Sequence, residues 1–294
     1  MSYSSWGSLV FMLALLLIVV HISNRQGFNS VEGFSVKIEG FTEKRNHDLY
    51  DHFYSTVYDY LVFSDVRNEY EVGKILDTTH PTSQSIVLDI GSGTGNVLNM
   101  LNKRGIKVVG VDLSQDMINK TIEKFPDLSS KMVNGNVLKS YLFPPITFTH
   151  VLCMYFTVYY IQNKQLFFEN VYDWLLPGGY FVLHLVNRDK FSPLLPMNSH
   201  KRRNKTGKYS KIRFNDFDYE SDFKLHKEID KGYFTEKFKT SSGTTRKQEH
   251  QFFMEEQGKI LNIAQKIGFI VNEKIDMSSI GYENQYLYIL TKPN

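Results

Sequence analysis

Residues 86–96 read Ile-Val-Leu-Asp-Ile-Gly-Ser-Gly-Thr-Gly-Asn. The stretch opens as a short apolar run, β-branched at Ile86 and Val87, which is the pattern of a strand buried on both faces of a parallel sheet. It then passes Asp89 into three glycines spaced by one residue, Gly91, Gly93 and Gly95. Such glycines let a chain turn sharply off a strand and let backbone N–H groups approach a ligand closely. Residues 96–101 begin a helix whose N-terminus faces that ligand. Strand, glycine turn and helix start together make a nucleotide-type site.

Working outward, the segment 106–112 is a second strand, ending in Asp112 about twenty residues after the turn. Ser114 is placed to cap the next helix, which Pro126 ends. A short third strand, 131–133, leads into Asn134-Gly135-Asn136-Val137. The apolar run 148–154 is a fourth strand. The segment 164–176 reads as a helix closed by Pro177-Gly178-Gly179, and 180–186 as the fifth strand. Upstream, 48–64 reads as a helix with Tyr50, Tyr54 and Tyr58 on one face, followed by a second helical piece over 67–76. Downstream, 209–252 alternates aromatic and polar residues, as antiparallel strands do. The amphipathic run 255–267 is a helix stopped by Gly268, and 269–276 and 285–291 are closing strands.

The 294 residues suit one large α/β domain with appendages. A net charge of +3 does not point to nucleic acid. The single cysteine, Cys153, excludes an internal disulfide, and the histidines lack zinc-ligand spacing, so no metal site is expected. Residues 1–24 are nearly free of charge, and a helix over 2–22 reaches roughly 30 Å, one hydrocarbon core. They read as an uncleaved transmembrane signal anchor. Arg25, Lys37, Lys44 and Arg45 on its C-terminal side place the catalytic part in the cytosol, on a single-pass membrane protein. Sugar on Asn119 or Asn204, both in acceptor patterns, would reverse that orientation. Residues 25–45 read as a linker and 46–294 as the folded domain. Within it, 188–252 is a loop and antiparallel-strand insert placed to act as a substrate lid. Lys201, Arg202, Arg203, Lys205 and Lys208 read as a solvated loop, or as a contact for lipid headgroups or a phosphorylated substrate.

The glycine spacing decides between ligands. Dinucleotide binding wants Gly-x-Gly-x-x-Gly, and here the sixth position is Asn96. No Gly-Lys-Ser/Thr follows, so the loop is not a P-loop. The ordered series Val-Leu-Asp-Ile-Gly-Ser-Gly-Thr-Gly, Val-Val-Gly-Val-Asp-Leu-Ser, Asn-Gly-Asn-Val and Leu-Leu-Pro-Gly-Gly-Tyr resembles the class I S-adenosylmethionine-dependent methyltransferases. The resemblance implies a Rossmann-like three-layer α/β/α fold, with a mostly parallel sheet and an antiparallel last strand. The antiparallel β insert and the N-terminal transmembrane helix are additions to it.

The resemblance also implies roles. Gly91, Ser92, Gly93 and Gly95 would pack against the methionine part of S-adenosyl-L-methionine, with Asp89 tethering the loop through backbone N–H groups or contacting the cofactor directly. Asp112, with Leu113 beside it, would take the ribose hydroxyls. Asn136 would accept from the adenine amino group, or simply form an Asn turn. Val137 and Met117 would be apolar walls for adenine, or ordinary core. Tyr58 would reach the cofactor from its helix, the other two tyrosines serving as packing. Arg67 could pair with the methionine carboxylate or lie solvated. Met154, Tyr155, Thr157, Tyr159, His184, Asn187 and Arg188 lie near the expected reaction centre, with His184 and Tyr155 as candidate catalytic groups. His184 could equally be a satisfied histidine inside the sheet. The acceptor is expected to be a small molecule at a membrane surface, with nucleic acid disfavoured. The alternative is an anchored cofactor-binding scaffold without activity.

Overall fold

The computed structural model describes residues 40–194 and 209–294. The expected anchor, most of the expected linker and the basic run at 201–208 lie outside the described residues. Among the described residues, no helix is long and apolar enough to cross a membrane. Residues 43–294 form one compact unit.

The run that opened the reading is strand β2 (Ile86–Ile90), and it lies inside a seven-stranded sheet. It pairs in parallel with β3 (Lys107–Asp112) and β5 (Phe148–Cys153). Beyond β3 lies β4 (Met132–Asn134), and beyond β5 lies β6 (Leu175–Val186), both parallel. The last strand, β12 (Gln285–Thr291), runs antiparallel between β6 and β11 (Ile270–Asp276). The order β11-β12-β6-β5-β2-β3-β4 reverses direction between β2 and β5, the place where such sheets open a crevice at their C-terminal edge.

The sheet is apolar on both faces because a helix layer covers each. Successive side chains of a strand point to opposite sides. Leu88 and Ile90 therefore join the cluster with Phe167, Phe168 and Trp174 of one helix and Ile260 and Ala264 of another. Val87 joins Val72, Ile75, Leu98 and Leu101 on the other side. The helices are, in chain order, α1 (His52–Val62), α2 (Asp65–Thr79), α3 (Asn96–Lys103), α4 (Gln115–Lys124), the single turn α5 (Thr157–Tyr160), α6 (Lys164–Trp174) and α7 (Gln257–Ile267).

Capping explains where several elements differ from the sequence pattern. The first helix does not include Tyr50: α1 starts after Asp51, whose carboxylate accepts from the Tyr54 N–H at 3.2 Å. An N-cap aspartate outcompetes a continued helix at that point. Tyr50 thus sits in the preceding turn, off the face shared by Tyr54 and Tyr58. Helix α2 is longer than expected because Ser64 caps it, accepting from Arg67 N–H. Helix α6 stops at Trp174, and Leu175 already begins β6, so Pro177-Gly178-Gly179 belongs to a strand rather than to a loop. The end of the expected linker is also ordered, as strand β1 (Phe41–Arg45).

The insert forms a second sheet. Strands β7 (Tyr209–Arg213), β8 (Phe217–His226), β9 (Lys231–Thr240) and β10 (Thr245–Phe253) pair antiparallel, in the order β1-β10-β9-β8-β7. Alternate residues are buried: Phe217, Tyr219, Ser221 and Phe223 on β8, and Arg246, Gln248, His250 and Phe252 on β10. Arg188, just past β6, anchors this sheet. It is buried and donates to Asp230, to Glu256 and to the Met254 carbonyl.

Ser114 caps α4 through Met117 N–H at 3.1 Å, and its hydroxyl also donates to the Tyr50 carbonyl. Losing a side-chain cap costs about 1 kcal/mol and losing a second hydrogen bond a similar amount. Ser114→Ala is expected to lower stability by about 1–2 kcal/mol in a urea titration, with an unchanged denaturant slope.

Candidate active site

One cavity of about 690 Å³ opens at the C-terminal edge of the parallel strands and continues beneath the second sheet. Its cofactor-side wall is the glycine loop. The loop amides are held from below: Gly91 N–H and Ser92 N–H donate to the Val111 carbonyl, and Gly93 N–H donates to the Asp112 carboxylate at 2.9 Å. The second Asp112 oxygen accepts from Ser114 N–H at 2.8 Å. Asp112, rather than Asp89, is therefore the tether of the loop. Asp89 lines the cavity beside it and is 3% exposed.

Gly93 has a φ of +57°, and a Cβ there would point into the open space under the Tyr58 ring, 3.7 Å away. That space is a cradle, and a side chain would fill it. Gly95 is different. It does not line the cavity, and a Cβ on it would strike the Thr121 side chain at 2.4 Å. Its φ of +75° lets it turn the chain into α3. The expectation that Gly95 touches the cofactor is corrected: it is a turn and packing glycine. Behind the loop, Thr94 donates to Asp59 at 2.6 Å, and Lys124 donates to both Asp59 and Asn96, fastening α1 and α4 to it.

Gly91, Ser92, Asp112, Leu113, Met117, Asn136, Val137 and Met154 all line the cavity. Leu113 is half exposed at its mouth, whereas Met117 is buried. The Asn136 oxygen accepts from Leu138 N–H at 2.9 Å, so the residue does form an Asn turn while facing the cavity. Arg67 is not a solvated charge. It is buried on α2, lines the cavity and lies 4.5 Å over the Tyr155 ring. Its Nε and the Ser92 hydroxyl are buried without a hydrogen-bond partner, the Nε lying 3.9 Å from the Glu71 carboxylate, and a ligand can satisfy both.

The acidic groups at this end are perturbed. Burial pushes the Asp89 carboxyl up to about 8, and the nearby charges of Asp112 and Glu71 add to the rise. Burial raises Glu71 to about 7, against the pull of Arg67. Burial also raises Asp112 above its ordinary value, opposed by the Ser114 and Gly93 amides. Tyr155, two residues past β5, lies in the left-handed region at φ +51°, a conformation that costs a non-glycine residue about 1–3 kcal/mol and clusters at functional sites.

Apart from Tyr50 and Tyr54, the other end of the cavity is built by residues that the sequence pattern did not single out. Tyr50, Tyr54, Tyr160, Tyr219, Phe234 and Phe252 surround Glu236 and His250 of the second sheet. Tyr50, Tyr54 and Tyr58 all reach the cavity, so none of the three is packing alone. Glu236 is buried and accepts from Tyr219 at 2.6 Å and from Gln248 at 2.6 Å, and it lies 2.6 Å from His250 Nε2. His184, the expected base, does not face this space. It is fully buried within β6, and burial together with the Arg67 charge lowers its pKa to about 3. Tyr159 is also buried, its hydroxyl accepting from Val186 N–H. Asn187 and Arg188 hold the backbone and the second sheet, and neither lines the cavity. Cys153 is buried in the core.

A glycine loop after the central strand, an acid closing the next strand and an antiparallel last strand give the described residues the fold of the class I S-adenosylmethionine-dependent methyltransferases. The comparisons agree. Residues 87–179 match the family model of a methyltransferase domain. Over 97 residues the chain is 35% identical to phosphoethanolamine N-methyltransferase 1 of Arabidopsis thaliana, which covers 32% of this chain and 19% of that protein. The chain spans less than half the length of the curated relatives it matches. Among solved structures, an S-adenosylmethionine-dependent methyltransferase from Clostridium acetobutylicum aligns with a TM-score of 0.64 at 18% identity, over 83% of this chain and 97% of that one. An amino pentose methyltransferase from Micromonospora echinaspora, with S-adenosylmethionine bound, aligns with a TM-score of 0.58 at 17% identity, over 82% and 96%.

Two outcomes follow from this geometry. Asp112→Asn weakens charge-assisted bonds worth about 1.5–3 kcal/mol, so the affinity for S-adenosylhomocysteine should fall about ten- to a hundredfold by calorimetry. The raised carboxyls give a pH effect. Asp89 and Glu71 stay protonated in the folded protein where the unfolded chain has lost those protons, so stability without ligand falls as pH rises from about 5 to 8. A cationic ligand favours the ionised forms. Affinity for S-adenosylmethionine should therefore rise across pH 6–8.5, with proton release on binding seen as a dependence of the heat on buffer.

Proposed function

We propose that the protein transfers the methyl group of S-adenosylmethionine to a small-molecule acceptor held at the tyrosine-lined end of the cavity. The observation that carries this is the continuity of that cavity from the glycine loop to Glu236 and His250. A cofactor and an acceptor can lie in it end to end, screened from water by the second sheet.

The residues fit the cofactor. Asp112 keeps free lone pairs for ribose hydroxyls, Leu113, Met117 and Val137 make an apolar slot for adenine, and Gly93 leaves room for the methionine chain. The Ser92 hydroxyl, and Arg67 Nε with only the Glu71 carboxylate 3.9 Å away, are donors suited to a carboxylate. When bound, the cofactor supplies an electrophilic methyl on a sulfonium. The chain's own task is to hold the nucleophile in line at about 3–3.5 Å, an alignment that can supply roughly 7–11 kcal/mol. Tyr155, stacked on Arg67 and held in a strained conformation at the junction of the two ends, is a positioning group in this reading.

The name of the Arabidopsis relative supports a small-molecule acceptor, although the matched length is only 97 residues. The apolar stretch at 2–22 and the basic residues that follow it support action at the cytosolic face of a membrane, on a single-pass anchor. The expected test is direct. Incubation of the full chain with methyl-labelled S-adenosylmethionine and separate metabolite, lipid and nucleic-acid extracts should label a metabolite or lipid. Binding of S-adenosylhomocysteine with no labelled product in any extract would favour the cofactor-binding scaffold instead.

A further inference from the structure

Four side chains that nothing above assigns to the reaction form an unbroken hydrogen-bonded chain. Tyr50 hydroxyl lies 2.7 Å from Tyr160 hydroxyl. Tyr160 hydroxyl lies 2.6 Å from His250 Nδ1, and His250 Nε2 lies 2.6 Å from the Glu236 carboxylate. They come from three separate parts of the chain: the turn before α1, the single-turn α5, and strands β9 and β10. The register of the second sheet sets the far end. Glu236 is opposite Gln248 on β10, and His250 follows two residues later on the same inward face.

The hydrogen-bond geometry sets the directions in this chain. The Glu236 carboxylate already accepts from the Tyr219 hydroxyl and the Gln248 amide. A carboxylate only accepts. His250 Nε2 is therefore the donor to Glu236, and with that one proton on the ring its Nδ1 accepts from Tyr160. Tyr160, having donated, accepts from Tyr50. Tyr50, having donated, is left with oxygen lone pairs alone at the cavity. Burial raises both phenols well above their ordinary value, so neither acts as a phenolate.

We propose that this chain is the proton acceptor of the site, and that the methyl acceptor is a primary or secondary amine that enters as its ammonium form. The inference rests on the methyltransferase reading and deepens it. The ammonium N–H donates to the Tyr50 oxygen. As that N–H bond breaks, its electron pair stays on nitrogen. Tyr50 passes its own proton to Tyr160, and Tyr160 passes its proton to His250 Nδ1. Imidazole becomes imidazolium, still donating from Nε2 to Glu236, while the Tyr50–Tyr160 and Tyr160–His250 hydrogen bonds reverse direction. The freed nitrogen pair then forms the bond to the donated methyl carbon, whose bond to sulfur breaks with its electrons left on sulfur. The proton leaves His250 to solvent after product release.

One further feature selects an amine over an alcohol. At this end of the cavity Glu236 supplies a negative charge, while Tyr54, Tyr58, Phe234 and Phe252 add aromatic rings, an environment that attracts a cation. Arg246, the nearest cation on β10, lies outside the cavity lining and is tied to Asp51 and the Leu49 carbonyl. The groups facing His250 from each packed element are Tyr50 before α1, Tyr54 of α1, Tyr160 of α5, Phe234 and Glu236 of β9, and Gln248 and Phe252 of β10.

The test uses the full chain saturated with S-adenosylhomocysteine and three probes: phenethylammonium, 2-phenylethanol and tetramethylammonium. By calorimetry at pH 8, phenethylammonium should bind at least tenfold more tightly than 2-phenylethanol, and Glu236→Gln should erase that difference. Nitrogen NMR of labelled histidines should show His250 passing from the one-proton to the two-proton ring on adding phenethylammonium. Tetramethylammonium, a cation with no N–H to give, should bind without that change. Tyr160→Phe, which keeps the ring and cuts the chain, should abolish the change while phenethylammonium still binds. Equal binding of alcohol and ammonium overturns the amine assignment. An unprotonated His250 in the phenethylammonium complex, or an unaltered response in Tyr160→Phe, overturns the proton chain. Should Glu236→Gln fail to fold, the Tyr160→Phe arm decides alone. Failure of S-adenosylhomocysteine to bind the unmodified protein overturns the methyltransferase reading itself, separately from these outcomes.

Discussion

The carboxylate of Asp112 is the point on which both ends of the site depend. One oxygen receives the Gly93 N–H of the glycine loop, and the other receives Ser114 N–H at the start of α4. The acid thus fixes the loop and the helix cap against the same strand end. Ser114 extends the tie through its hydroxyl to the Tyr50 carbonyl, which positions the outer end of the tyrosine chain. Without a partner for those amides, two backbone donors would be buried unsatisfied, each at a cost of about 1–3 kcal/mol. The cofactor wall and the acceptor chamber are therefore held from one node.

The second sheet shows what it takes to bury polar groups for function. Its inward face carries Arg246, Gln248, His250 and Glu236 among phenyl and phenol rings. A buried ion pair is weak evidence for stability, because desolvation can exceed the attraction between the charges. Each group here is satisfied instead by a specific neighbour: Arg246 by Asp51 and Gln248, Glu236 by Tyr219, Gln248 and His250. A one-residue slip of β10 would turn Arg246, Gln248 and His250 outward and away from Glu236, so their placement and the strand register are the same fact.

The alternation of short apolar runs with helical segments made the parallel sheet legible before any coordinates, and its strands fall close to where the pattern put them, except that β6 begins five residues early, at Leu175. Asp112 and the glycine loop were equally plain, since a ligand loop needs residue types that few other places need. The acceptor end was not. His184 drew attention because it lies on a core strand near the expected centre, but strand alternation does not say which side of a sheet is open. Its side chain points into the packed interior. His250 and Glu236 lay in a stretch whose alternation marked strands and nothing more, and the facing Tyr160 is about ninety residues away. The one available signal was a buried-side alternation that admits Glu, Gln and His where apolar residues would be ordinary.

Local chemistry therefore determined the strand, the turn, the cofactor acid and the order of elements, because propensity, capping and glycine geometry act over a few residues. Which glycine faces the ligand and which packs on Thr121, whether Arg67 lies in water or in the cavity, and which histidine meets a carboxylate were decided only in the tertiary structure. Those facts depend on pairings between segments 14 to 197 residues apart, such as Glu236 with His250 and Arg246 with Leu49. No local periodicity encodes such a distance, because the packing of one sheet face against another sets it.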